Sequence, residues 1–111
     1  MTMLDPILGS RDRERVLMFL SARREGYARE IARFFNSGLD PIQKQLEKLE
    51  VAGVLVSRSV GRTRLYVFNP RYAFLKELKT LLEKALTFYP ADERERLLIV
   101  RRRPRRKDKP Q

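Results

Sequence analysis

The chain contains no cysteine and no histidine. Disulfides are therefore impossible, and no thiolate or imidazole metal site can be built. Nucleophilic catalysis by a Ser-His or Cys-His pair is excluded for the same reason. A reducing, cytoplasmic setting fits this composition. Long apolar runs are also missing. No stretch approaches the roughly 18 apolar residues of a membrane span. The first eight residues carry Asp5 and Pro6 and do not read as a secretory leader. Nothing in the sequence marks a cofactor site, and no internal repeat is present.

What is abundant is positive charge. There are 25 Lys and Arg against 14 Asp and Glu, a formal charge of +11 over 111 residues. The segment 101–111 alone holds seven basic residues and one acid, with nothing apolar to bury. Such a balance predicts attraction to polyanions, of which nucleic acid is the commonest and an anionic membrane surface the rival.

The length suggests one domain. Periodicity predicts a first helix over 11–22, where Val16, Leu17, Phe19 and Leu20 form the apolar stripe. Ser10 or Asp12 is placed to cap it, and Gly26 reads as its stop. A second, short helix is predicted over 27–35, with Ala28, Ile31, Ala32 and Phe35 on one face. Asn36-Ser37-Gly38 breaks that pattern. A third helix is predicted over 41–52, with Asp40 as N-cap, Pro41 at its first position and Gly53 as a left-handed stop. Ile42, Leu46 and Leu49 form its buried stripe. Two β-rich runs, 54–60 and 64–68, flank Gly61 and predict a hairpin closed by Asn69-Pro70. A long amphipathic helix is predicted over 71–89 and ends at Pro90. A short helix over 92–100 follows, and 101–111 reads as a disordered tail.

The order of elements carries more information than any one of them. A short helix, a tight turn and a capped, polar-faced helix make a helix-turn-helix, and the hairpin after it makes a wing. The fold class predicted is mainly α with a β-hairpin wing, a winged helix-turn-helix domain over 1–89 with a long C-terminal helix, a helical extension over 90–100 and a basic tail.

Residues 11–72 resemble the winged helix-turn-helix of the arsenic-repressor-like (ArsR-like) regulators. The resemblance is carried by Arg29-Glu30-Ile31-Ala32, by Leu39 to Leu46, and by Leu49 to Leu55 with its Leu-x-x-Ala-Gly ending. The turn departs from the family's Gly-Leu, reading Asn36-Ser37, where asparagine tolerates the left-handed backbone. The resemblance implies binding to double-stranded DNA, and a homodimer built on a terminal helix. Without Cys or His, the metal-sensing branch of that family is not supported.

The residues agree with that implication. Gln43, Lys44 and Gln45 lie near the start of the third helix, where recognition helices meet base edges in the major groove. Lys48 shares the polar face, and Asp40 and Pro41 lead into it. Arg29 and Ser37, at the ends of the second helix, lie where phosphates are met. Arg58, Arg62 and Arg64 fall in the wing, and no acid occurs from Val51 to Arg71. Wing arginines contact phosphates or enter a minor groove. Their rival role is protection of an exposed sheet edge, which acids would serve equally. Leu75, Leu78, Leu82 and Leu86 are the candidate dimer contacts. The tail lacks the Gly-Arg-Pro core of an AT-hook, so it reads as a non-specific phosphate-binding arm or a solubility device.

The function implied is a sequence-specific, DNA-binding transcription regulator in the cytoplasm, associated with the nucleoid. The alternative is a protein-interaction module, such as an antitoxin or complex subunit, with an unidentified protein partner. RNA binding ranks below both, because most aromatics fall at core-like positions and only Tyr66 and Phe68 are candidates for stacking. An enzyme ranks last.

Overall fold

The computed structural model describes residues 2–99. Its elements run α1 (Asp5–Leu8), α2 (Arg11–Arg23), β1 (Gly26–Tyr27), α3 (Ala28–Phe34), α4 (Leu39–Val51), β2 (Leu55–Val60), β3 (Thr63–Phe68), α5 (Leu75–Leu86) and α6 (Ala91–Ile99). The tail from residue 101 lies outside the described residues. No helix among the described residues is long and apolar enough to cross a membrane.

Helix α2 is the centre of the molecule. Its residues Val16 to Leu20 are buried all round, so α2 has core on every side over that turn. Around it pack Ile31 and Ala32 of α3, Ile42, Leu46 and Leu49 of α4, Leu82 and Ala85 of α5, and Leu97 of α6. The Ser10 side chain accepts a bond from the Arg13 N–H at 3.1 Å, which makes Ser10 the cap.

The stop of α2 is Arg24, in the left-handed conformation with φ 76°, and not Gly26. Gly26 serves a different purpose. It opens β1, and a Cβ there would lie 2.8 Å from Phe19 Cε1 and 3.3 Å from Ile31 Cδ1. Only glycine lets the backbone approach α2 this closely. Two elements are therefore absent from the sequence reading: α1, which is a single turn, and β1, which has two residues. Both are too short to show a period.

β1 and β2 both pair antiparallel with β3, giving the order β1-β3-β2. Leu55 lies opposite Phe68, and Val60 opposite Thr63, across a two-residue turn at Gly61-Arg62. Asn69 closes the far end. Its N–H bonds to Val54 O and its Nδ2 to Gly53 O, each at 2.9 Å.

The larger departures from the expected boundaries are in α4 and α5. Helix α4 begins at Leu39 with Gly38 as N-cap, so Asp40 and Pro41 lie inside its first turn. Pro41 is still tolerated, because the first four N–H groups of a helix have no partner within it. The end of α4 is as expected. Gly53 has φ 86°, and the Val54 N–H to Leu49 O bond (2.9 Å) with the Gly53 N–H to Glu50 O bond (3.0 Å) seals the last turn. Helix α5 is shorter than 71–89. Asn69 Oδ1 captures the Arg71 N–H at 3.0 Å and holds the chain in turns until Phe74. After Leu86, three-residue hydrogen bonds tighten the chain into turns through Tyr89.

Candidate nucleic-acid interface

The local sequence of α4 decides which of its side chains face solvent. With Ile42, Leu46 and Leu49 turned to the core, Asp40, Lys44, Glu47, Lys48 and Val51 must share the outer face, and all five are exposed. Lys44 and Lys48 form no ion pair among the described residues. Val51 is 89% exposed, the most exposed large apolar side chain described.

Gln43 and Gln45 flank this stripe on opposite sides, half-buried. Arg13 Nε donates to Gln45 Oε1 at 2.9 Å while Arg13 Nη1 donates to Leu8 O at 3.0 Å. Gln45 is thus held against α2. Gln43 Nε2 donates to Glu47 Oε2 at 3.2 Å and to Tyr66 Oη at 3.3 Å. Gln43 is thus held toward β3.

A cleft of about 270 Å³ opens where α3, α4 and the hairpin meet. Arg29, Gln43, Arg62, Arg64 and Tyr66 line it, and no acid does. Arg29 is exposed on the first turn of α3. The Tyr66 phenol is raised above its ordinary pKa, first by burial and then by Glu50 and Glu47, against the opposing bond from Gln43. It stays protonated at neutral pH and keeps a proton to donate. Arg64 lies along the hairpin, donating Nε to Ser57 Oγ (3.0 Å) and Nη1 to Ser59 Oγ (3.3 Å). Ser57 Oγ in turn donates to Glu50 Oε2 at 2.7 Å. Arg58 and Arg62 are exposed, and their side chains make no hydrogen bond or ion pair among the described residues. Ser37 stands in the turn before α4, where its hydroxyl donates to Gly38 O at 3.4 Å. Asn36, with φ 54°, supplies the left-handed backbone that this turn needs.

The architecture has counterparts among solved structures. The chain is similar to reduced HlyU from Vibrio cholerae, with a TM-score of 0.60 and 19% identity, over 78% of this chain and 84% of that one. It is similar to ZitR from Lactococcus lactis in apo form, with a TM-score of 0.54 and 19% identity, over 97% and 95%. It is also similar to the adhesin competence repressor AdcR from Streptococcus pyogenes, with a TM-score of 0.54 and 15% identity, over 90% and 80%. The fold is a winged helix-turn-helix. No protein-family model matches the chain, and no curated protein matches it.

In this winged helix-turn-helix, α3 and α4 are the two helices of the motif and β2-β3 is the wing. The fold brings Arg29, Gln43, Arg62 and Arg64, distant in sequence, onto one cleft. It places Lys44 and Lys48 on the outer face of α4 and turns Gln45 aside toward Arg13. Two contributors went unassigned in the sequence reading. Glu47 sits amid the lysines and binds Gln43. Tyr66 reads in sequence as a wing-strand aromatic, and only the fold brings its hydroxyl to the site, 3.3 Å from Gln43 Nε2.

The four leucines proposed for dimer contact divide. Leu82 is 0% exposed in this chain's own core, so it has no surface to offer a second chain. Leu75, Leu78 and Leu86 are half-buried and pack against that core. The apolar side chains that face outward here are Phe74 (63%), Leu81 (39%) and Phe88 (58%), of which Leu81 lies within α5 and the phenylalanines just beyond its two ends.

Proposed function

We propose that this chain is a sequence-specific regulator of transcription of the ArsR-like kind, which binds double-stranded DNA through α4 and the wing. One observation carries the reading: the cleft between α3, α4 and the wing is lined by Arg29, Arg62 and Arg64 and by no acid. Three cations held around one concavity, with a protonated phenol inside it, suit a backbone phosphate. A phosphate seated there sets α4 against the neighbouring major groove, where Lys44 and Gln43 reach base edges. The sequence motif from Leu49 to Leu55 supports the ArsR-like assignment, and the fold shared with the repressor AdcR supports regulation. Such a protein works in the cytoplasm, on the nucleoid.

The working unit is a homodimer. Leu81 on α5, with Phe74 just before the helix and Phe88 just after it, offers exposed apolar surface for the contact. A two-fold dimer presents two copies of α4 to two half-sites. Selection of bound sequences from a random duplex pool tests the whole reading. The expected result is an enriched, symmetric site whose half-sites are about one or two helical turns apart. Absence of any enriched sequence at physiological salt, together with a stable protein partner on pull-down, rejects it in favour of a protein-interaction module.

A further inference from the structure

We propose that Tyr66 and Glu47 fix Gln43 as a hydrogen-bond acceptor toward the major groove, so that this chain selects an amino base, adenine or cytosine, over a keto base, guanine or thymine, at the position Gln43 meets. The inference rests on the DNA-binding reading above and specifies what that site reads.

An unrestrained glutamine amide both donates and accepts. It pairs with adenine by accepting from N6 and donating to N7, and so singles out adenine. Gln43 is not unrestrained. Its amino group carries two hydrogens, and the two bonds from Nε2, to Glu47 Oε2 and to Tyr66 Oη, use both. The orientation of the amide is unambiguous, because an ionised carboxylate accepts and never donates. The group facing Glu47 is therefore the NH₂. The two N–H bonds lie in the amide plane, so together they fix the plane as well as the direction. This leaves Gln43 Oε1 without a partner among the described residues, as the one atom of the side chain free to bond.

A lone acceptor in the major groove has a simple preference. Adenine N6 and cytosine N4 donate to it, whereas guanine O6 and thymine O4 repel it. It does not use adenine N7, so adenine holds no advantage over cytosine. Tyr66 is the positioning residue in this scheme. It is buried on the middle strand of the sheet, so its hydroxyl is a fixed point against which α4 is read.

The test uses the full chain and the random-pool selection. The position at which Gln43→Ala loses discrimination is the position Gln43 reads. There the wild type is expected to accept adenine and cytosine alike and to disfavour guanine and thymine about three- to tenfold, the factor for one hydrogen bond. Tyr66→Phe keeps the ring in the core and frees one N–H to reach adenine N7. It should narrow the preference toward adenine, with an unchanged melting curve as the check on folding. Base analogues on the wild type give a second measure that needs no variant. Purine, which lacks the 6-amino group, should bind about three- to tenfold more weakly than adenine, and 7-deazaadenine should bind as adenine does. An adenine-only preference, a loss with 7-deazaadenine, or a Tyr66→Phe profile identical to wild type overturns the proposal and leaves DNA binding intact. A Gln43→Ala profile identical to wild type does the same. Failure to enrich any sequence overturns the DNA-binding reading and this proposal with it.

Discussion

The Tyr89 hydroxyl donates to Glu14 Oε2 at 2.6 Å, and Glu14 is fully buried. Two backbone donors complete the carboxylate's environment, Met3 N–H and Leu4 N–H at 2.7 Å each. One side chain of α2 thereby ties down the start of the chain and the turn after α5. Buried charges persist in proteins when they are hydrogen-bonded in this way. Glu14→Ala should lower stability by about 3 kcal/mol, because three donors lose one acceptor, and Tyr89→Phe by about 1–2 kcal/mol. Urea unfolding measures both. The pH dependence follows from the sign. Burial and the adjacent carboxylate raise the Tyr89 pKa far above its ordinary 10.0. A raised folded-state value means the contribution is present in full below pH 10 and is lost as pH rises beyond it. Tyr89→Phe should therefore lose less stability than wild type between pH 9 and pH 11. An equal alkaline loss in both proteins would show that Tyr89 is not its source.

Lys44 lies on the outer face of α4 and makes no ion pair among the described residues. Lys44→Ala should weaken binding to the selected site by about 1–3 kcal/mol and relax preference at one base pair. Titration against the selected site and single-base variants of it measures this. An equal loss on every duplex would identify Lys44 as a phosphate contact.

Leu81 and Leu82 are neighbours with opposite fates. Leu81→Glu adds charge to an exposed apolar position of α5 and should give a folded monomer with weak operator binding. Leu82→Glu puts the same charge into the core, where an unpaired ion costs several kcal/mol, and should unfold the protein. Circular dichroism and sedimentation distinguish the two. A wild-type chain that remains monomeric at high concentration rules out the dimer.

Deleting residues 101–111 removes seven basic side chains and one acid. Each phosphate neutralised adds about 0.9 to the slope of log affinity against log salt. The truncated chain should bind all duplexes more weakly at low salt, with a shallower slope and its base preference intact. An unchanged slope would make the tail a solubility device. A lost preference would mean that the tail reads the minor groove.

Much of this molecule is determined by short-range chemistry that the sequence displays by itself. The Ser10 cap, the Gly53 stop, the β-branched runs about Gly61 and the stripe Ile42-Leu46-Leu49 are local signals, and each stands where the residues imply. The tertiary structure decided what needs a partner from elsewhere in the chain. Gly26 looks like a helix stop until Phe19 and Ile31 are brought against it, when it becomes the point where only a missing Cβ fits. The apolar arc of α5 is too wide for its spacing to tell Leu82, which enters the core, from Leu81, which does not. Which part of an arc is covered depends on where α2 lies. Gln43 reads as a polar residue on a helix face. Its reduction to a single acceptor requires Tyr66 from a strand 23 residues away, and a hydrogen bond at that separation exists only once the fold has set both ends in place.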